Sequence, residues 1–121
     1  MESQFDEACQ RLFYNGLLVA MVTDRDGVVV LKSASEKVKH NMTEPTIPTT
    51  FTIANNQASK LGLGQNKSII SMYDHYQVIQ LDQAPFVITL IAESNANTGL
   101  CTNLGQDLLK LTAPLVEAVN E

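Results

Sequence analysis

The run Pro85-Phe86-Val87-Ile88-Thr89-Leu90-Ile91-Ala92 carries no charge and is built mainly of β-branched, aromatic and aliphatic side chains. A strand with one wet face alternates between apolar and polar residues, whereas a strand covered on both faces reads as a continuous apolar run. This run therefore predicts the central strand of a sheet. Leu17 to Thr23 and Val28 to Lys32 are also apolar on both faces, and they flank Asp24-Arg25-Asp26-Gly27. The pattern predicts a hairpin, with Gly27 free to take a positive φ. A sheet of such strands needs a helical layer on each side.

Helices are available for both layers. Phe5, Ala8, Cys9, Leu12 and Phe13 make one apolar stripe, with Ser3 as its expected cap and Asn15-Gly16 as its stop. A last helix is predicted over roughly Asn97 to Asn120, capped by Asn97 or Thr98, with Leu100, Leu104, Leu108, Leu111, Leu115 and Val119 down one side. Pro114 falls inside it, so a kink or break is expected near Leu111. Two further strands are predicted at Asn66 to Tyr73 and Tyr76 to Leu81, joined at Asp74-His75. The mixed composition of Asn66 to Tyr73 suits an edge, which offers unpaired backbone groups to another chain. The expected fold is α+β, a three-layer α/β/α arrangement with a five-stranded antiparallel sheet and the order α-β-β-α-β-β-β-α. One domain is expected to span residues 1–121.

The middle helix is the unusual element. It should start near Thr46 with Pro48 in its first turn and stop at Gly62 or Gly64. Ile47, Phe51, Ala54, Ala58 and Leu61 then form a seam. From Thr46 to Gly64 the only charged residue is Lys60, and threonines and asparagines make its helix propensity poor. A helix that is weak alone and nearly uncharged needs packing on more than one side. Ala54 and Ala58, one turn apart, would admit a close second backbone. Overall charge agrees: 17% of residues are charged against 45% hydrophobic, where about 25% charged is usual. Part of the surface is expected to be covered by a protein partner.

Other function classes find little support. The net charge is −5 and the lysines and arginines are scattered, which excludes a nucleic-acid surface. No apolar run has the length of a membrane span, and Met1-Glu2-Ser3-Gln4 does not read as a signal peptide or a lipidation site. Cys9 and Cys101 fall at core positions and read as inert thiols, with no metal site. His40 and His75 read as solvated. Gly62-Leu63-Gly64-Gln65-Asn66-Lys67-Ser68 lacks the adjacent Gly-Lys and the strand–loop–helix order of a phosphate loop. Asp82 and Glu93 would serve as an acid–base pair only if folding joined them. Neither catalysis nor a cofactor is expected.

Several segments carry a family resemblance. They are Asp24-Arg25-Asp26-Gly27-Val28, Gln57-Ala58-Ser59-Lys60-Leu61-Gly62-Leu63, Asn66-Lys67-Ser68-Ile69-Ile70, Tyr76-Gln77-Val78 and Ala96-Asn97-Thr98-Gly99-Leu100. On these the chain resembles the roadblock/longin-like superfamily. Within it, the chain is similar to the MAP kinase scaffold subunits, the MEK-binding partners, of the Ragulator late endosomal and lysosomal adaptor complex. The resemblance is weaker in the first helix, from Ser33 to Glu44, and beyond Thr102.

The resemblance implies a non-enzymatic scaffold that pairs with a second roadblock-type subunit. It also implies contact with other Ragulator subunits and Rag GTPases in amino-acid signalling to TOR, and links to MEK and ERK kinases. It implies a cytoplasmic protein held at the late endosome and lysosome surface by a separate lipidated subunit, without inserting into the membrane. Partner contacts carried over by position are Phe51, Ala54, Ala58, Leu61, Ile69, Ser71 and Tyr73. Two other readings stay open: a self-pairing roadblock domain that regulates a small GTPase or motor, and a small-ligand sensor or enzyme of similar strand order.

Overall fold

The computed structural model describes residues 1–120. In chain order its elements are α1 (Glu2–Phe13), β1 (Leu17–Asp24), β2 (Val29–Ala34), α2 (Thr46–Ala58), β3 (Ser68–Met72), β4 (Tyr76–Gln83), β5 (Phe86–Glu93) and α3 (Thr98–Asn120). The strands form one antiparallel sheet in the order β2-β1-β5-β4-β3. The charge-free run thus occupies the centre, and β1 and β5 are buried along their length except for the last residue of each.

Both faces of the sheet are covered. On one, Phe5 and Cys9 of α1 and Leu104 and Leu108 of α3 pack on Ala20, Val22, Ile88 and Leu90. Each of the phenylalanine, leucine, isoleucine and valine side chains among them contributes about 1.5–3 kcal/mol by leaving water. On the other face, Leu18, Val19 and Ile91 pack with Met42 and with Ile47 of α2. Gln77 is fully buried and joins β4 to the start of α3. Its amide donates to the carbonyls of Glu93 and Ala96 at 3.1 and 3.0 Å, and its Oε1 accepts from the Thr98 hydroxyl at 2.6 Å. Asn97 caps α3, its Oδ1 accepting the Leu100 N–H at 3.0 Å.

Four sequence expectations need correction. The strand β2 is not covered on both faces: Val28, Val29 and Val30 are exposed, and only Leu31 and Ser33 are buried. It is one of the sheet's two outer strands, and α1 packs on just one side of it. It also extends to Ala34, and a short helical turn at His40–Thr43 lies in the connection from it to α2. The first helix starts at Glu2 and is capped by Met1 without a side-chain bond, not by Ser3. The last helix runs unbroken through Pro114. Pro114 and Lys110, whose carbonyl would have met the missing N–H, are both exposed, so water can take that carbonyl.

Candidate functional site: the face formed by α2 and β3

The buried residues of α2 are Pro48, Phe51 and Asn55. This face is rotated from the expected seam, and an apolar pattern could not include it because one of its members, Asn55, is polar. The helix ends at Ala58, continues as a tighter turn over Ser59–Leu61, and stops at Gly62 with φ 78°. Of the seam residues, Phe51 is buried, Ile47 and Ala58 are half-buried, and Ala54 is exposed. Leu61 lies beyond the helix and is 73% exposed.

The outer strand β3 pairs with β4 alone, leaving its other edge without a partner strand among the described residues. Ile69 and Ser71 are half-buried, whereas Ser68, Ile70 and Met72 are exposed. That alternation turns Ile69 and Ser71 toward α2. Between the two elements lies a groove of about 380 Å³, bounded by Phe51, Ala54, Ile69, Ser71 and Tyr73, with Val78 and Ile91 also lining it. Five of the seven residues carried over from the family resemblance therefore meet at one groove, and Ala58 and Leu61 do not line it.

The stretch from Thr46 to Tyr73, which forms α2, β3 and their connection, exposes large apolar side chains and is almost without charge, and Tyr73 is the one of them that lines the groove. Ile53, Leu63, Met72 and Tyr73 are each more than half exposed, and from Thr46 to Tyr73 only Lys60 and Lys67 carry charge. Sequence reasoning did not mark Ile53, Leu63 and Met72 as exposed, and none of the three lines the groove. Their signal was present, since all three are large apolar residues in segments already marked as uncharged.

The alternative chemistries do not assemble. His40 is exposed and lies 3.3 Å from the Glu44 carboxylate, and His75 is exposed in the β3–β4 turn. Asp82 pairs with Val87 and Glu93 with Tyr76, which sets the two acids at opposite ends of β4 and β5. By strand rise they are roughly 20 Å apart. Asp24 Oδ1 accepts the N–H groups of Asp26 and Val28, both at 2.9 Å, and so caps its own turn. Burial is the main cause of the Cys9 thiol being pushed up to about 12, with the Asp6 charge adding to it against a hydrogen bond with Ser33. Burial also raises Cys101. Among the described residues no group of three or more His, Cys, Asp and Glu is gathered, and no helix is long and apolar enough to cross a membrane.

A family model described as mitogen-activated protein kinase kinase 1 interacting matches residues 3–119. The match includes most of the first helix and the chain beyond Thr102, where the resemblance is weaker. The Ragulator complex protein LAMTOR3-A of Xenopus laevis is 48% identical over 104 residues, which cover 86% of this chain and 85% of that protein. The Ragulator complex protein LAMTOR3 of Rattus norvegicus is 45% identical over 104 residues, covering 86% and 84%. In fold the chain is similar to the crystal structure of a roadblock/LC7 domain from Streptomyces avermitilis, with TM-score 0.73, 12% identity, and coverage of 93% of this chain and 97% of that one. The chain belongs to the mitogen-activated protein kinase kinase 1 interacting family and has the roadblock fold.

Proposed function

We propose that this chain is a non-enzymatic scaffold subunit of a Ragulator-type complex that pairs through α2 and β3 with a second roadblock-type subunit. The observation that carries the reading is the uncharged α2–β3 face, where the exposed Ala54 and Tyr73 line a groove next to a strand edge with no partner strand among the described residues. An edge strand alone is a liability in solution. An apolar helix face beside it supplies the burial that turns backbone pairing into a specific contact.

Relatives with the printed name Ragulator complex protein support membership of that assembly. On this reading the paired subunits act with the other Ragulator subunits and Rag GTPases in amino-acid signalling to TOR. The family description supports a link to MEK and ERK kinases. The chain works in the cytoplasm, and a lipidated partner subunit holds it at the late endosome and lysosome surface.

Absolute mass by light scattering on a sizing column tests the pairing, for the chain alone and with the second roadblock-type subunit of its own organism. A one-to-one complex near twice the monomer mass is expected. A tight homodimer that ignores the second subunit would replace this reading with that of a self-pairing roadblock regulator of a GTPase or motor.

A further inference from the structure

Asn66 commits both its backbone and its side chain to holding the end of α2 beside β3. Its N–H donates to Ser59 Oγ at 2.9 Å, and the Ser59 hydroxyl donates to the Asn55 carbonyl at 2.9 Å. Its side-chain amide donates to Asn55 Oδ1 at 2.8 Å and to the carbonyl of Ser68, the first residue of β3, at 2.9 Å. Asn55 is 7% exposed and sits on the inward face of α2, one turn from Phe51. A buried polar side chain there requires a partner, and Asn66 provides it.

The loop between these elements gives little other support. Gly62 and Gly64 reverse the chain at φ 78° and 92°, and a Cβ at either would meet nothing within 4 Å. At its other end α2 is held to β4 by Gln80, whose amide donates to the Ile47 carbonyl. Among the described residues no other side chain hydrogen-bonds both α2 and β3.

We propose that Asn55, Ser59 and Asn66 form a latch that sets the spacing of α2 against β3 and so pre-forms the pairing groove. This rests on the reading that those two elements bind a second roadblock-type subunit. The three residues are positioning residues: they hold the groove walls and need not touch the partner. Without the latch, the groove is formed in only a fraction of molecules, and apparent affinity falls by that fraction. The cost falls on association, because a complex once formed holds the groove in place itself.

The test uses the full chain and, as probe, the second roadblock-type Ragulator subunit of its own organism, immobilised on a sensor surface. Asn66→Ala and Ser59→Ala are each expected to slow association roughly tenfold, with dissociation changed less than about twofold. Ser59→Thr retains the hydroxyl and is expected to bind like the native chain. The rates are read well below each variant's melting temperature, so a general loss of stability would not move them. Ala54→Glu serves as a control on the face itself. If Ala54→Glu binds like the native chain, the pairing face is wrong and the latch falls with it. If Ala54→Glu fails to bind while Asn66→Ala and Ser59→Ala associate at the native rate, the latch alone is overturned.

Discussion

The side-chain amide of Gln80 donates to the main-chain carbonyl of Ile47 at 3.1 Å, so the middle of β4 holds the first turn of α2. Gln80 also donates to the Thr89 hydroxyl at 3.3 Å and is 7% exposed. The helix that packs least on the sheet is thereby tied to it by a buried polar group rather than by a broad apolar stripe. Replacing Gln80 with Leu is expected to destabilise the fold by about 1–2 kcal/mol in urea unfolding, because the Thr89 hydroxyl loses a buried donor. Amide exchange is expected to speed up in the first turn of α2 and to stay unchanged in α3.

Ala54 bounds the groove and is exposed in the free chain. Ala54→Glu is therefore expected to leave folding stability within about 0.5 kcal/mol of native. Pairing is expected to weaken by more than a hundredfold, since the contact would bury an unpaired carboxylate at a cost of about 3 kcal/mol or more. Ala58 lies outside the groove, so Ala58→Glu is expected to have the smaller effect. Titration calorimetry with the second subunit gives both affinities.

Two glycines with positive φ separate backbone strain from steric clash. Gly27 has φ 89°, and a Cβ there would lie 2.6 Å from the Cβ of Pro45, just ahead of α2. Gly62 has φ 78° with open space around it. Gly62→Ala is expected to cost about 1 kcal/mol from the left-handed backbone alone. Gly27→Ala adds displacement of Pro45 and is expected to cost more than about 2 kcal/mol. Equal midpoints for the two variants in urea would contradict the packing of the β1–β2 turn on Pro45.

Cys9 makes stability depend on pH in the alkaline range. Its thiol is pushed up to about 12 from an ordinary value of 9.0, first by burial and then by Asp6. Below pH 9 both the folded and the unfolded chain hold the proton, and the group adds no pH dependence. Between pH 9 and 12 the unfolded chain ionises while the folded chain does not, so stability falls as pH rises. The slope attributable to this group approaches about 1.4 kcal/mol per pH unit. Unfolding free energies of the native chain and Cys9→Ala across that range are expected to diverge in slope, with the variant flatter.

The sheet was largely legible in the sequence. Phe86 to Glu93 reads as central because no residue between Pro85 and Ala92 is charged, and Ser68 to Met72 reads as an edge because it mixes polar and apolar residues. The order of elements followed from turn residues and periodicity. The errors arose where composition and burial part company. Val28, Val29 and Val30 read as buried, yet nothing in the sequence says that the strand they begin is outermost with one wet face. The inward face of α2 was misplaced because Asn55, a polar residue, occupies a core position that only its tertiary partner Asn66 makes tolerable. Leu61 was counted on a helix that ends earlier, at Ala58. The groove was legible in part, because an uncharged helix and a mixed edge strand identify the elements but not which side chains turn toward each other.

Hydrogen exchange on the chain, free and bound to the second roadblock-type subunit of its own organism, tests the pairing face most directly. The account predicts that amides of α2 from Phe51 to Ala58 and of β3 from Ser68 to Met72 gain the greatest protection, with β2 and α1 unchanged. Protection concentrated on the exposed edge of β2, with α2 and β3 exchanging as in the free chain, would contradict it.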